Sequence, residues 1–278
     1  MRTSLFQEEL IEYFKSIEVE NPQLEVRWIL ESIGLELWTE EISEDKKEYC
    51  WKSAKRRSNG EPLAYILGLK GFYKDEFAVQ PGVLIPRPET ELLVTQSLEW
   101  LKSKELYDPL IYDFGCGSGC VGLSILRDCV GARLVGFDIE DIPIRTSNWN
   151  SEKLRFSDRS EFKKIPVEDI NDLEIFPPDL IVANPPYIAP DDKDICPHVK
   201  SFEPQFALFA EDNGLGKIKS WAKKSNQLLK PGGFLTFEFG RGQEDAVFEI
   251  FKSLNFQEIT FHKDLAGITR TVSAIKES

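Results

Sequence analysis

The chain has 278 residues, 41% of them hydrophobic and 29% charged, with a formal net charge of −13 at pH 7. This fits a globular protein of one large domain, or of one medium domain with a smaller one. So acidic a chain argues against non-specific nucleic-acid binding, which depends on Lys and Arg neutralising phosphates, and no direct nucleic-acid partner is expected.

Leu5, Phe6, Leu10, Ile11, Phe14 and Ile17 recur at helical spacing and predict a helix over residues 4–17. A second helix has Asn21 as N-cap, Pro22 at its first position and Gly34 past its end. Its expected apolar face is Leu24, Trp28, Leu30 and Ile33. A third helix starts near Ser43 and carries Tyr49, Trp51 and Ala54 inward. None of the three buries a face alone, so residues 1–62 should pack as a small bundle. That bundle can serve as a stabilising cap or as a docking domain for a macromolecular substrate.

Tyr65-Ile66-Leu67-Gly68 and then Phe72 to Val79 read as a β-hairpin, inside a linker of residues 63–86. The segment from Val83 to Glu91 contains Pro86-Arg87-Pro88-Glu89-Thr90-Glu91 and leads into a helix over roughly 90–103. Its acidic residues can cap that helix. Alternatively, Arg87 and Glu89 line the entrance of a site. From about residue 108 strands and helices alternate, which implies a parallel sheet covered on both faces. The strands read as Leu110 to Phe114, Arg133 to Phe137, Phe162 to Val167, Asp179 to Ala183 and Phe234 to Phe239. Two last strands, Phe256 to Phe261 and Thr271 to Ile275, have no helix between them and should pair antiparallel. A long connection over residues 188–213 is of a length that often carries function.

Gly115-Cys116-Gly117-Ser118-Gly119 lies between a strand and a helix, at the sheet edge where open α/β folds bind ligands. Glycines there let a ligand approach the backbone. The spacing departs from the dinucleotide pattern. Asp113, just before the loop, would repel a phosphate but can receive an ammonium. Asp138 ends the second strand, where an acid binds ribose hydroxyls. Asp169 ends the third, where an acid can accept from an adenine amino group, with Ile170 against the ring. An amine, a ribose and an adenine without phosphates describe S-adenosylmethionine.

Asn184-Pro185-Pro186-Tyr187 follows the fourth strand. The prolines lack amide donors and hold φ near −65°, so the chain leaves the sheet stiffly. The Asn184 side-chain carbonyl and the Pro185 backbone carbonyl are then fixed acceptors, beside the flat ring of Tyr187. Together they suit a planar –NH2 group. The tetrapeptide resembles the signature of S-adenosylmethionine-dependent amino-methyltransferases, in which Asn184 would border both cofactor and substrate.

The chain as a whole resembles the protein-(glutamine-N5) methyltransferases of peptide chain release factors, the PrmC/HemK family. The likeness runs through Gly60-Glu61-Pro62-Leu63-Ala64-Tyr65-Ile66-Leu67-Gly68, Leu84-Ile85-Pro86-Arg87-Pro88-Glu89-Thr90-Glu91, the Asp113 to Gly119 loop, Asn184 to Ile188, Asp212-Asn213-Gly214-Leu215 and Asp264-Leu265-Ala266-Gly267. It implies a seven-stranded, mostly parallel, doubly wound α/β sheet of the Rossmann-like class I methyltransferase type over residues 87–278, joined by the hairpin to the N-terminal helical domain. It also implies methylation of the glutamine in the release factor's Gly-Gly-Gln sequence. Ala210-Glu211 stands where the family usually has a glycine-rich pair. The alternatives are a glutamine methyltransferase of a ribosomal protein and an N6-adenine methyltransferase.

Five cysteines at irregular spacing argue against a disulfide framework, and neither they nor the two histidines suggest a metal site. The N-terminal segment does not read as a signal peptide, and no run is long enough for a membrane span. A cytoplasmic monomer is the expectation.

Overall fold

The computed structural model of the protein describes residues 2–35, 41–171 and 176–277; Met1 and Ser278, the ends of the expected domains, lie outside the described residues. The chain divides into two compact units: Met1–Leu69 with Pro197–Phe202, and Lys70–Cys196 with Glu203–Ser278.

In the first unit, α1 (Thr3–Ser16), α2 (Pro22–Ser32), α3 (Glu44–Ser58) and the short α4 (Leu63–Leu67) enclose Phe6, Leu10, Phe14, Val26, Ile29, Leu30, Cys50 and Ala54. Trp51 meets Tyr13 edge-on at 5.4 Å. The inward face of α2 differs from the expected one. Leu24 and Trp28 are 40% and 44% exposed, and the inward stripe is Val26, Ile29 and Leu30 with Ile33 behind it. That rotation brings the Glu25 carboxylate to the Arg57 guanidinium, at 2.7 and 3.1 Å. Tyr49 likewise faces outward, because Cys50, Ser53 and Ala54 form the buried stripe of α3. Tyr65-Ile66-Leu67, read from sequence as strand, is helical. Pro62 at the N-cap and the left-handed Gly68 (φ 73°) after α4 supply both helix ends.

The hairpin is β1 (Leu69–Phe72) with β2 (Asp75–Ala78). A 3-10 turn, Pro88–Thr90, precedes α5 (Glu91–Ser103). The sheet then follows: β3 (Leu110–Phe114), α6 (Cys120–Asp128), β4 (Arg133–Asp138), α7 (Asp141–Leu154), β5 (Ser160–Lys164), β6 (Leu180–Ala183), α8 (Pro197–Phe202), α9 (Gly216–Leu228), β7 (Phe234–Glu238), α10 (Glu244–Ser253), β8 (Gln257–Lys263) and β9 (Thr269–Ile275). The strand order is β5-β4-β3-β6-β7-β9-β8, parallel except for the last two pairings. Side chains alternate with period two. Tyr112, Phe114, Ile181, Leu235 and Phe237 pack towards α9 and α10. Ile111, Leu134, Leu180, Val182 and Phe234 pack towards α5 and α6. The third parallel strand ends at Lys164, before the expected Val167. Pro166 has no N–H for the ladder, and Val167–Asp169 forms a 3-10 turn.

The C-terminal end of α6 is closed from outside. The Arg159 guanidinium donates to the carbonyls of Leu126, Cys129, Val130 and Ala132 at 2.7–3.2 Å. A cation there also suits the helix dipole. Replacing Arg159 with Met should lower unfolding stability by about 2 kcal/mol, and Lys should restore little of it, because one ammonium cannot reach four carbonyls. Urea unfolding of the two variants checks this.

Candidate active site

The parallel ladder pairs Phe114 of β3 with Ala183 of β6. The next residues, Gly115 and Asn184, therefore leave neighbouring strands on one edge of the sheet, at the point where strand order reverses. A cavity open to solvent lies there.

On the β3 side, Gly115, Gly117 and Gly119 have φ of 67°, 56° and 76°. L side chains rarely adopt these values. A Cβ on Gly115 would also come within 2.7 Å of the Trp221 ring, whereas one on Gly117 would meet nothing closer than a backbone oxygen at 4.0 Å. Gly115 and Gly117 line the cavity. The loop is held from behind: Gly117 N–H donates to Asp138 Oδ2 (3.0 Å), and Asn150 Nδ2 donates to the Ser118 carbonyl (2.9 Å). Asn150 also exchanges two hydrogen bonds with the Ala78 backbone, so one buried amide joins hairpin, helix and loop.

Asp138 lines the cavity and is almost fully buried. Burial raises its pKa, while N–H donors from Gly117, Ile139 and Glu140 oppose the rise. A carboxylate has about four lone-pair sites. One therefore remains for a hydroxyl. Asp113 lies behind the loop rather than on the cavity wall, accepting the Gly122 N–H at 3.0 Å. Burial pushes its carboxyl up to about 7, helped by the nearby charge of Asp138 and opposed by the Gly122 N–H.

Around the rest of the wall stand Ile139, Ile165, Val167, Glu168, Phe206, Lys217 and Trp221. Asp169 is exposed and Ile170 is buried in the core; neither lines the cavity, and Glu168 occupies the position by the wall. Burial opposes ionisation of Glu168, but hydrogen bonds from Lys217 (2.8 Å) and Ser220 (2.9 Å) bring its pKa below the ordinary value. Cys116, Ser118 and Gly119 shape the loop without lining the cavity. Burial pushes the Cys116 thiol well up, which removes it as a thiolate.

On the β6 side, Asn184 and Pro186 line the cavity, and Pro185 is buried between them. Asn184 Nδ2 donates to Thr90 Oγ1 at 3.3 Å. The Thr90 hydroxyl donates to Glu238 Oε2 at 2.6 Å, and the Tyr187 hydroxyl to Glu238 Oε1 at 2.9 Å. The charge of Glu238 and burial raise the Tyr187 pKa well above its usual value, so it stays a neutral phenol. Arg87 and Glu89 stand outside the cavity wall. Arg87 pairs with Glu203, which also accepts the Ile85 N–H at 3.1 Å. Sequence reasoning missed Thr90, Glu238, Glu168 and Trp221. Glu238 ends a parallel strand, the criterion that singled out Asp138, and the same test applied to β7 finds it. Among the described residues no three His, Cys, Asp or Glu side chains are grouped to hold a metal ion.

Residues 7–68 match the family model of the PrmC N-terminal domain, and residues 90–198 that of the methyltransferase small domain. The chain is 37% identical over 238 residues to a release factor glutamine methyltransferase of Clostridium botulinum, covering 84% of this chain and 83% of that protein. It is 32% identical over 280 residues to one of Fusobacterium nucleatum, covering 96% and 77%. The chain belongs to the release factor glutamine methyltransferase family. The solved ribosomal protein L11 methylase of Lactobacillus delbrueckii subsp. bulgaricus superposes with a TM-score of 0.52 at 17% identity, over 75% of this chain and 90% of that one, a likeness of fold alone.

As a methyltransferase of this family the chain uses S-adenosylmethionine, and the cavity suits it. Two carboxylates, Asp138 and Glu168, face one cation, Lys217, which is already paired. That balance repels phosphates and favours a sulfonium. The bare backbone at Gly117 admits a ligand closely, and the buried Trp221 indole N–H has no partner among the described residues.

Asp113 makes a pH prediction. Its folded-state value lies above the unfolded one, so the folded state binds the proton more tightly. Its contribution is fully favourable below about pH 4 and is lost as pH rises through about 7. Asp113→Asn keeps an acceptor for Gly122. Between about pH 5 and about pH 8 the ligand-free protein should lose a few kcal/mol more stability than this variant, read from urea midpoints.

Proposed function

We propose that the protein transfers a methyl group from S-adenosylmethionine to the side-chain amide nitrogen (N5) of the glutamine in the Gly-Gly-Gln sequence of a peptide chain release factor. The observation that carries the reading is Asn184: it borders the cofactor cavity while its NH2 group is engaged by Thr90, and its carbonyl oxygen accepts no hydrogen bond among the described residues.

Asn184 Oδ1 and the Pro185 carbonyl accept the two N–H bonds of the substrate amide. An amide nitrogen is a poor nucleophile because its lone pair is delocalised. Two fixed acceptors orient it and favour positive charge as it forms, and pre-organisation of this kind can lower a barrier by several kcal/mol. Tyr187, held by Glu238, keeps the amide plane in place by contact. When bound, S-adenosylmethionine supplies the electrophilic methyl that this nitrogen takes up, with the N–H proton released to water. Asp138 holds the ribose and Glu168 the adenine side, Gly115 and Gly117 carry the methionine portion, and Asp113 acts behind the loop on its ammonium. Arg87 and Glu89 guide the substrate in from outside the wall.

The domain assignment follows the same reading: residues 1–62 dock the release factor, residues 63–86 link, and residues 87–278 catalyse. The protein acts as a cytoplasmic monomer without direct contact to nucleic acid; among the described residues no helix is long and apolar enough to cross a membrane.

The test is transfer of labelled methyl to a purified release factor, beside a variant lacking the glutamine, a ribosomal extract and DNA. Label should enter only the intact release factor. Label in ribosomal protein or DNA instead would overturn the substrate assignment. Asn184→Ala should bind cofactor within about threefold of wild type and lose about a hundredfold or more in kcat. Undiminished transfer would remove the acceptor role.

A further inference from the structure

We infer that Thr90 and Glu238 are positioning residues that fix which end of the Asn184 side-chain amide faces the substrate. The inference rests on the acceptor role proposed for Asn184. An asparagine carries a two-donor group and an acceptor on nearly the same outline, so nothing in its own shape makes the oxygen face the cavity. Its neighbours must decide.

The chain of hydrogen bonds has a direction. Glu238 sits at the end of β7 and is almost fully buried; burial raises its pKa, the Thr90 and Tyr187 hydroxyls oppose the rise, and as the carboxylate they favour it can only accept. The Tyr187 hydroxyl donates to one of its oxygens at 2.9 Å and the Thr90 hydroxyl to the other at 2.6 Å. Thr90 has a single proton, and that bond uses it. Its oxygen can then only accept. Across 3.3 Å it accepts from Asn184, which must present Nδ2. Oδ1 is left for the cavity that Asn184 lines. Reversing the amide would set its carbonyl against the Thr90 oxygen with no proton between them, and would offer the substrate a donor where an acceptor is required. An unmatched buried polar pair is costly. Glu238 thus acts through Thr90 on Asn184 and touches neither substrate nor cofactor.

Thr90→Val keeps the shape and removes the hydroxyl; Thr90→Ser keeps the hydroxyl. Glu238→Gln can donate to Thr90 and so free its proton to point at Asn184. In the labelled-methyl assay Thr90→Val and Glu238→Gln should each lose at least about tenfold in kcat, with KM for the release factor and cofactor affinity within about threefold, and Thr90→Ser should recover kcat to within about threefold. Because Thr90 acts through Asn184, adding Thr90→Val to Asn184→Ala should change kcat by less than about twofold. Urea midpoints separate folding loss from this effect, and Thr90→Val carries the test if Glu238→Gln does not fold. Wild-type kcat in Thr90→Val beside a crippled Asn184→Ala overturns the positioning role and leaves the acceptor role standing. Equal losses in Thr90→Val and Thr90→Ser, or a matching loss of cofactor affinity, also overturn it. Full activity in Asn184→Ala overturns both.

Discussion

The site depends on the in-register parallel pairing of β3 with β6. Phe114 opposite Ala183 fixes where two chain segments leave the sheet, one glycine-rich and one proline-rich. Neighbouring strands lie roughly 4.8 Å apart. A donor group on the first segment and an acceptor group held by the second are therefore brought together by the ladder itself. A slip of one residue would turn the side chains of the slipped strand to the opposite face and part the two segments. The two segments are opposite in character for a physical reason. Gly117 leaves bare backbone where a ligand lies against it, while Pro185 and Pro186 stiffen the exit that carries Asn184.

Around this pairing most supports are single polar groups buried among apolar layers. Asn150 ties the hairpin strand β2 to the loop, and Asp138 holds Gly117 while facing the cavity. Charge is distributed as economically. The cavity keeps a slight acidic excess suited to a sulfonium, and the one lysine on its wall is neutralised by Glu168. Burial leaves Asp113 near its titration point in the ligand-free protein, so an ammonium close by would draw it to the ionised form.

Much of this was legible from sequence because the parallel strands are short apolar runs with punctuated ends. β3 and β4, and the last antiparallel pair, lie where periodicity places them. Three kinds of feature were not legible. The rotation of α2 was hidden because Leu24 and Trp28 offer as good an apolar stripe as Val26 and Ile29, and an ion pair to Arg57 accompanies the other choice. The end of β5 is obscured because Ile165 and Val167 look like strand, although Pro166 interrupts the ladder; Glu168 rather than Asp169 then stands by the cavity wall. The Thr90–Glu238 bond joins residues 148 apart in the chain, and no local pattern announces it.

The first compact unit is not contiguous. Its last piece, Pro197–Phe202, is encoded after β6, and a Cβ on Gly60 would come within 2.4 Å of the His198 ring, so the two stretches meet closely. A ribosome making this chain therefore delivers the helical unit in two instalments, with four of the five parallel strands emerging in between. That late piece, α8, has no buried residue and adds none to the helical core, so the early helices can pack on one another before it arrives.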